Sequence, residues 1–144
     1  MANDDLPPAR PGRTVKFSAP SRLADDLRRP RLLDFLHENV HRKIILIAAA
    51  AGYGKSSLLA DFAHDVDYPV AWLRLDEFDR DLATLSTNLT TALRQVFPAF
   101  RSALPALAAE AGANPDVLAS ALANEIEGAI DEYFLLVLDD FHLI

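Results

Sequence analysis

The sequence predicts an α/β fold in which a parallel sheet lies between layers of helices. Three apolar segments, at 44–48, 69–75 and 134–139, have the length and composition of buried strands. Segments with apolar residues three or four positions apart, typical of amphipathic helices, separate them. Because strands that alternate with helices form parallel sheets covered on both faces, we expect a three-layer α/β/α arrangement.

The predicted helices begin and end at residues with known preferences. The first follows Pro30, which fits the first turn of a helix, and its apolar residues continue to Val40. The second follows the glycine-rich segment after the first strand. A third carries leucines three or four positions apart within 82–96, and Pro98 marks its end.

Two further helical segments precede the last strand. A weak one is expected at 99–111. Asn114 is a favoured helix cap and Pro115 a favoured first residue, so the last predicted helix begins there. The acidic run 76–79, which follows the second strand, is interpreted as a solvated turn.

Length and composition indicate one globular domain. The chain has 144 residues, of which 51% are hydrophobic, enough for a buried core. It has no cysteine, and its longest apolar stretch, 44–51, is too short to span a bilayer, so we expect a cytoplasmic protein. Residues 1–13 combine prolines and charges, which predicts a flexible tail ahead of a domain at 14–144.

A glycine-rich segment, Ala-Ala-Ala-Gly-Tyr-Gly-Lys-Ser-Ser, occupies residues 49–57 between a predicted strand and a predicted helix. Gly52 and Gly54 let backbone N–H groups converge on an anion, and the following helix adds the positive end of its dipole. Lys55 is placed to reach the β- and γ-phosphates of a nucleotide, and the Ser56 hydroxyl is a suitable Mg²⁺ ligand. The segment therefore predicts a phosphate-binding loop.

The loop departs from the usual pattern at its first position, where Ala49 stands in place of glycine. Glycine is not required at position 49, because no phosphate contact depends on the absence of a side chain there. The alternative is a flexible connector that happens to precede a lysine. The predicted nucleotide-binding residues of the loop are Ala51, Gly52, Tyr53, Gly54, Lys55, Ser56 and Ser57.

Two adjacent carboxylates, Asp139 and Asp140, follow the last apolar strand. Alone they would indicate a polar turn. With a phosphate loop upstream, Asp139 is predicted to hold Mg²⁺ through a water molecule, together with Ser56. Asp140 is predicted to orient or deprotonate an attacking water, which makes Asp140 and Lys55 the predicted catalytic residues.

Charge is distributed unevenly along the chain. Residues 1–43 hold nine Lys or Arg against six Asp or Glu, whereas residues 44–144 hold five against fifteen. Binding to a phosphodiester backbone needs clustered basic side chains, and the acidic part has no such stripe. We therefore predict no direct nucleic-acid binding by this segment, and no membrane partner.

These motifs resemble the ATPase domain of the MalT-like, LuxR-type transcription activators, which belong to the signal-transduction ATPases with numerous domains (STAND). The resemblance covers about residues 20–144 and is carried by 51–59, by Trp72 with 75–79, and by 137–144. Arg29 lies in a stretch that resembles the family's entry segment, and in the family this segment lies near the adenine. The resemblance therefore implies that Arg29 is a nucleotide-binding residue. Ala50 stands where relatives usually have proline.

The resemblance implies a P-loop NTPase fold and an ATP-driven switch that is closed with ADP. It also implies that an inducer and exchange for ATP favour self-association and transcription activation, with DNA bound by domains that have no counterpart here. Two other hypotheses are a nucleotide-binding interaction module without hydrolysis and a small-molecule phosphotransferase. The phosphotransferase is disfavoured because its lid usually carries several arginines, and only four follow residue 58.

In the fold of this family, a further strand lies between the phosphate-loop strand and the strand with the two aspartates. The present sequence supplies at most three of five expected strands. Either the chain is a fragment of a longer product, or segments 44–48 and 134–139 pair directly. We favour the fragment, and we expect weak or absent ATP turnover because the family's polar sensor residue and a further nucleotide contact would lie beyond Ile144.

Overall fold

The order of helices and strands follows the α/β prediction. The computed structural model describes residues 16–21 and 28–144, so the predicted tail at 1–13 lies outside the described residues. The main elements are α1 (Pro30–Asn39), α2 (Lys55–Asp65), β1 (Val70–Arg74), α3 (Leu82–Val96), α4 (Leu104–Ala108), α5 (Pro115–Ala129) and β2 (Leu135–Asp139). Short 3₁₀ turns follow the two strands, at Glu77–Arg80 and Phe141–Leu143.

The two strands are parallel neighbours with helices on both faces. Val70 lies opposite Leu135, and the register continues to Arg74 opposite Asp139. On one face, Ala60 of α2 packs with Trp72 and Val137. On the other face, α3 and α5 pack against the alternate strand residues, including Ala71 and Leu73. The predicted three-layer α/β/α arrangement is therefore confirmed.

The predicted first strand is wrong. Residues 44–50 have no regular secondary structure, and among the described residues the sheet contains β1 and β2 only. The alternative of direct pairing between 44–48 and 134–139 is also wrong, because β2 pairs with β1. A strand needs a hydrogen-bonding neighbour, and no described backbone group pairs with 44–48.

The side chains of this segment nevertheless alternate as in a strand. Ile45 and Ile47 pack against a core formed by α1 and α2, whereas Ile44 and Leu46 are 82% and 80% exposed. The period of two is the pattern of an extended chain with one covered face. The apolar run therefore approaches the loop in an extended conformation without belonging to a sheet.

The helix ends agree with the predicted caps. Asn114 accepts a hydrogen bond from the Asp116 amide at the start of α5, with Pro115 in the first position. Helix α3 ends at Val96, shortly before Pro98. The weak helical region expected at 99–111 contains the short α4 only. None of the helices in the described ranges combines the length and apolar character that a bilayer crossing requires.

The acidic turn after β1 is more buried than the sequence indicated. Asp79 is 1% exposed and accepts hydrogen bonds from Lys16 Nζ (2.8 Å), Asn88 Nδ2 (2.7 Å) and the Asp76 amide (2.8 Å). Lys16 Nζ also donates to Asp76 Oδ2, and the Lys16 carbonyl accepts from the Arg74 amide. The predicted solvated turn is therefore wrong at Asp79, because a lysine from the start of the chain covers it.

Candidate nucleotide-binding site

The glycine-rich loop has a backbone conformation that requires glycine at two positions. Gly52 has φ +83° and Gly54 has φ +70°, both in the left-handed region. Gly54 is the N-cap of α2, so the loop turns directly into the helix that begins at Lys55. A helix N-terminus that follows a glycine turn presents free N–H groups and a positive dipole end.

Lys55 folds back over the start of the loop. Its Nζ donates to the carbonyl of Ala49 at 2.8 Å and to that of Ala50 at 3.1 Å. Both contacts use main-chain oxygens, which every residue provides. This explains in physical terms why alanine is compatible with the two positions where the loop departs from the usual pattern.

Arg29, at the N-cap of α1, contacts the same loop from the other side. Its Nη1 donates to the Tyr53 carbonyl at 2.7 Å. A Cβ placed on Gly54 would lie 2.7 Å from Arg29 Nη2, closer than real side chains approach. The guanidinium therefore occupies the space that a side chain at position 54 would need, and it brings a fixed positive charge to the loop.

Tyr53 is 66% exposed, and its contact with Arg29 uses the main-chain carbonyl. Ala51 and Gly52 are exposed at the tip of the loop, and Ser57 is half-buried in the first turn of α2. All predicted loop residues thus belong to one continuous surface that ends at the helix N-terminus.

Ser56 and Asp139 are brought together across the fold. Ser56 Oγ donates to Asp139 Oδ1 at 2.8 Å, which connects α2 with the last residue of β2. The Asp140 amide also donates to this oxygen, at 3.0 Å. Asp139 is 4% exposed, and its buried Oδ2 has no hydrogen-bond partner among the residues that the structure describes. A buried carboxylate oxygen without a partner is costly and requires an explanation.

This donor set fits a magnesium ion. Mg²⁺ binds oxygen atoms, usually one or two from the protein, and keeps several waters. The Ser56 hydroxyl and the unpartnered Asp139 Oδ2 are oxygens of that kind beside a loop suited to phosphate. Within the described ranges, no group of three or more His, Cys, Asp or Glu residues could form an all-protein metal centre.

Asp140 has an unusual backbone conformation and an ionic partner. Its φ of 57° and ψ of 33° lie in the left-handed region, which Asp tolerates better than most residues. Arg74 Nε donates to Asp140 Oδ2 at 2.9 Å. Sequence reasoning missed Arg74 as a site residue. The available signal was its position as a charged residue at the end of an otherwise apolar strand, just before the acidic run.

Comparisons with known proteins identify similar sequences. The chain is 35% identical over 130 residues to the HTH-type transcriptional regulator MalT of Yersinia pestis (strain Pestoides F), and equally to that of Yersinia pseudotuberculosis serotype O:1b. It is 34% identical over 121 residues to the serine/threonine-protein kinase PknK of Mycobacterium tuberculosis. No family model matches the chain.

The aligned segments cover most of this chain but little of the relatives. They amount to 90% of the chain and 14% of MalT, and to 81% of the chain and 11% of PknK. The predicted resemblance is confirmed: this chain is similar to one short segment of MalT-type transcriptional regulators.

Proposed function

We propose that this chain is part of an ATP-binding and ATP-hydrolysing switch module of a bacterial transcriptional regulator. The similarity to MalT supports the regulatory context. The hydrogen bond between Ser56 and Asp139, with the unpartnered Asp139 Oδ2 beside it, carries the nucleotide assignment. A structural hydrogen bond alone would not need a buried, unsatisfied carboxylate oxygen at the end of a strand.

The loop and the two aspartates have defined roles in this proposal. The loop amides at 51–57 bind the β-phosphate, and Lys55 leaves the Ala49 and Ala50 carbonyls to pair with the β- and γ-phosphates. Ser56, and Asp139 through a water molecule, would hold Mg²⁺, which would supply positive charge to neutralise the phosphates. Asp140 orients the water that attacks the γ-phosphate, so that ATP and water give ADP and inorganic phosphate.

Calorimetry of the full chain with ADP and with a non-hydrolysable ATP analogue, with and without Mg²⁺, tests this proposal. We expect both nucleotides to bind, and we expect Lys55→Ala to weaken the analogue more than ADP because the γ-phosphate loses its cation. Arg101→Ala is a matched control, because its side chain contacts backbone carbonyls far along the chain from the loop. Absence of binding by the wild-type chain would contradict the proposal.

A nucleotide-binding module without hydrolysis is the second candidate. The ion pair between Arg74 and Asp140 favours this second candidate, because Arg74 already engages one oxygen of the carboxylate that would orient the attacking water. Asp140→Asn separates the two candidates. The assay is a single turnover with protein in excess, which detects slow hydrolysis. Hydrolysis by the wild type that Asp140→Asn loses, with binding retained, supports the switch, whereas nucleotide binding with no hydrolysis by the wild type supports the binding module.

Other parts of a longer protein would complete the function. We propose that the whole regulator binds DNA, since MalT is named as an HTH-type transcriptional regulator. We also propose that it self-associates and binds an inducer, as the family resemblance implies. Turnover by residues 1–144 alone is expected to be weak or absent.

A further inference from the structure

Arg74 is placed at the candidate site by the register of the sheet. It is the last residue of β1 and lies opposite Asp139, the last residue of β2. Residues opposite each other in parallel strands project on the same face, so Arg74 emerges on the face that carries the Asp139 carboxylate. Its side chain is 49% exposed, which leaves the guanidinium at the rim of the site.

The ion pair uses one atom of each partner. Arg74 Nε binds Asp140 Oδ2, and no other described residue donates a hydrogen bond to the Asp140 side chain. That side chain is 20% exposed. The pair therefore engages Oδ2 and leaves Asp140 Oδ1 outside the contact, while fixing the direction of the carboxylate. The left-handed backbone at Asp140 is a conformation that persists when surrounding contacts hold it.

A carboxylate at this position has an electrostatic consequence for a bound nucleotide. The carboxylates of Asp139 and Asp140 are adjacent, and a third phosphate brings further negative charge toward them. A diphosphate lacks that group and meets less repulsion. A cation that neutralises Asp140 should therefore favour the triphosphate over the diphosphate.

We propose that Arg74 is a positioning residue that sets the preference for a nucleoside triphosphate over a diphosphate by orienting and neutralising Asp140. This inference rests on the proposed function, because it requires a nucleotide at the loop. Arg74 acts through Asp140 and not by direct contact with the phosphates.

A double-mutant cycle in the full chain tests the inference. Affinities for a non-hydrolysable ATP analogue and for ADP, both with Mg²⁺, are measured by calorimetry for wild type, Arg74→Ala, Asp140→Asn and the double variant. We expect Arg74→Ala to weaken the analogue about fivefold or more relative to ADP. In the Asp140→Asn background the same change should have no selective effect, because no carboxylate remains to be neutralised.

Two further variants separate positioning from general structural loss. Arg74→Lys keeps the charge but loses the guanidinium geometry, and it should restore part of the preference. Arg80→Ala removes another exposed arginine, whose Nε donates to the Leu143 carbonyl, and it should leave the preference unchanged. Circular dichroism of each variant establishes that it is folded.

The outcomes are distinct. Equal weakening of both nucleotides by Arg74→Ala, or a selective loss that persists in the Asp140→Asn background, overturns the inference while the proposed function stands. If the wild-type chain binds neither nucleotide, the proposed function fails and the inference fails with it.

Discussion

Ser56 Oγ and Asp139 Oδ1 lie 2.8 Å apart although 83 positions separate the two residues in the sequence. One belongs to the first turn of α2 and the other to the carboxyl end of β2. In open α/β sheets, ligands bind at the carboxyl ends of strands, beside helix N-termini. The contact thus joins the glycine-rich loop and the aspartate pair into one candidate site.

Replacing Ser56 by alanine tests whether this contact belongs to a metal site. The hydroxyl is a candidate Mg²⁺ ligand, so Ser56→Ala should lower the affinity for Mg²⁺-bound nucleotide by about tenfold or more. The affinity in the presence of EDTA should change little. Calorimetric titration with the non-hydrolysable analogue measures both values.

Ser57→Ala is the matched control, because Ser57 is the next residue of the same helical turn and is also half-buried. It should leave the magnesium dependence intact. A Ser56→Ala protein with the magnesium dependence of wild type would show that the Ser56–Asp139 contact is structural only.

Gly54→Ala separates backbone strain from steric conflict. At φ +70° any side chain is strained, and here the added Cβ would also meet Arg29 Nη2 at 2.7 Å. Gly112, at φ +80° with nothing within 4 Å, provides the same strain without the contact. We expect Gly112→Ala to lower the free energy of unfolding by about 1 kcal/mol and Gly54→Ala by about 2 kcal/mol.

Urea unfolding followed by circular dichroism measures both changes. In an Arg29→Ala background, the cost of Gly54→Ala should fall to the value found at Gly112, because the steric partner is gone. An unchanged cost in that background would mean that the Arg29 side chain moves aside freely and does not constrain position 54.

The parts of the fold that depend on local sequence were predictable. The caps of α5, the glycine positions of the loop and the two parallel strands follow from residue preferences and spacing. The segment 44–48 was mispredicted because a strand also needs a neighbour, and that information does not lie in the segment itself.

The contact between Arg74 and Asp140 was not predictable for a related reason. It depends on the register of β1 against β2, which the sequence pattern does not specify. The burial of Asp79 likewise depends on Lys16, 63 positions away. An ion pair between distant residues can be identified only once the strands and helices are assembled, whereas the spacing of apolar residues can be read from a short stretch of sequence.

Asp79→Asn should change the stability of the protein and its dependence on pH. Burial raises the pKa of Asp79, but hydrogen bonds from Lys16, Asn88 and the Asp76 amide outweigh it, so the pKa lies below its ordinary value of 3.8. Because the pKa of Asp79 is lower in the folded than in the unfolded protein, the ionised side chain stabilises the fold at pH values above about 3.8. This contribution is lost as the pH falls from 3.8 through the folded-state pKa. The variant should lose about 2–3 kcal/mol at neutral pH.

Urea unfolding at a series of pH values from 7 to 3 measures this effect. The difference between wild type and Asp79→Asn should shrink at the acid end, because the wild type loses the contribution that the variant already lacks. Asp67→Asn, at an exposed position, is the control and should follow wild type throughout. A constant difference down to pH 3 would contradict the assignment.

Threonine substitutions along 44–47 test whether the extended segment has one covered face. Ile45 and Ile47 pack against the core of α1 and α2, so Ile45→Thr or Ile47→Thr should lower the free energy of unfolding by about 1–2 kcal/mol. Ile44 and Leu46 are exposed, so Ile44→Thr or Leu46→Thr should change it by less than about 0.5 kcal/mol. Threonine retains a high strand propensity, which leaves burial as the main difference between the two pairs.

Urea unfolding of the four variants at two protein concentrations provides the comparison. Equal costs at all four positions that grow with concentration would mean that Ile44 and Leu46 are covered in solution by a second copy of the chain, because burial between copies depends on concentration and burial within one copy does not.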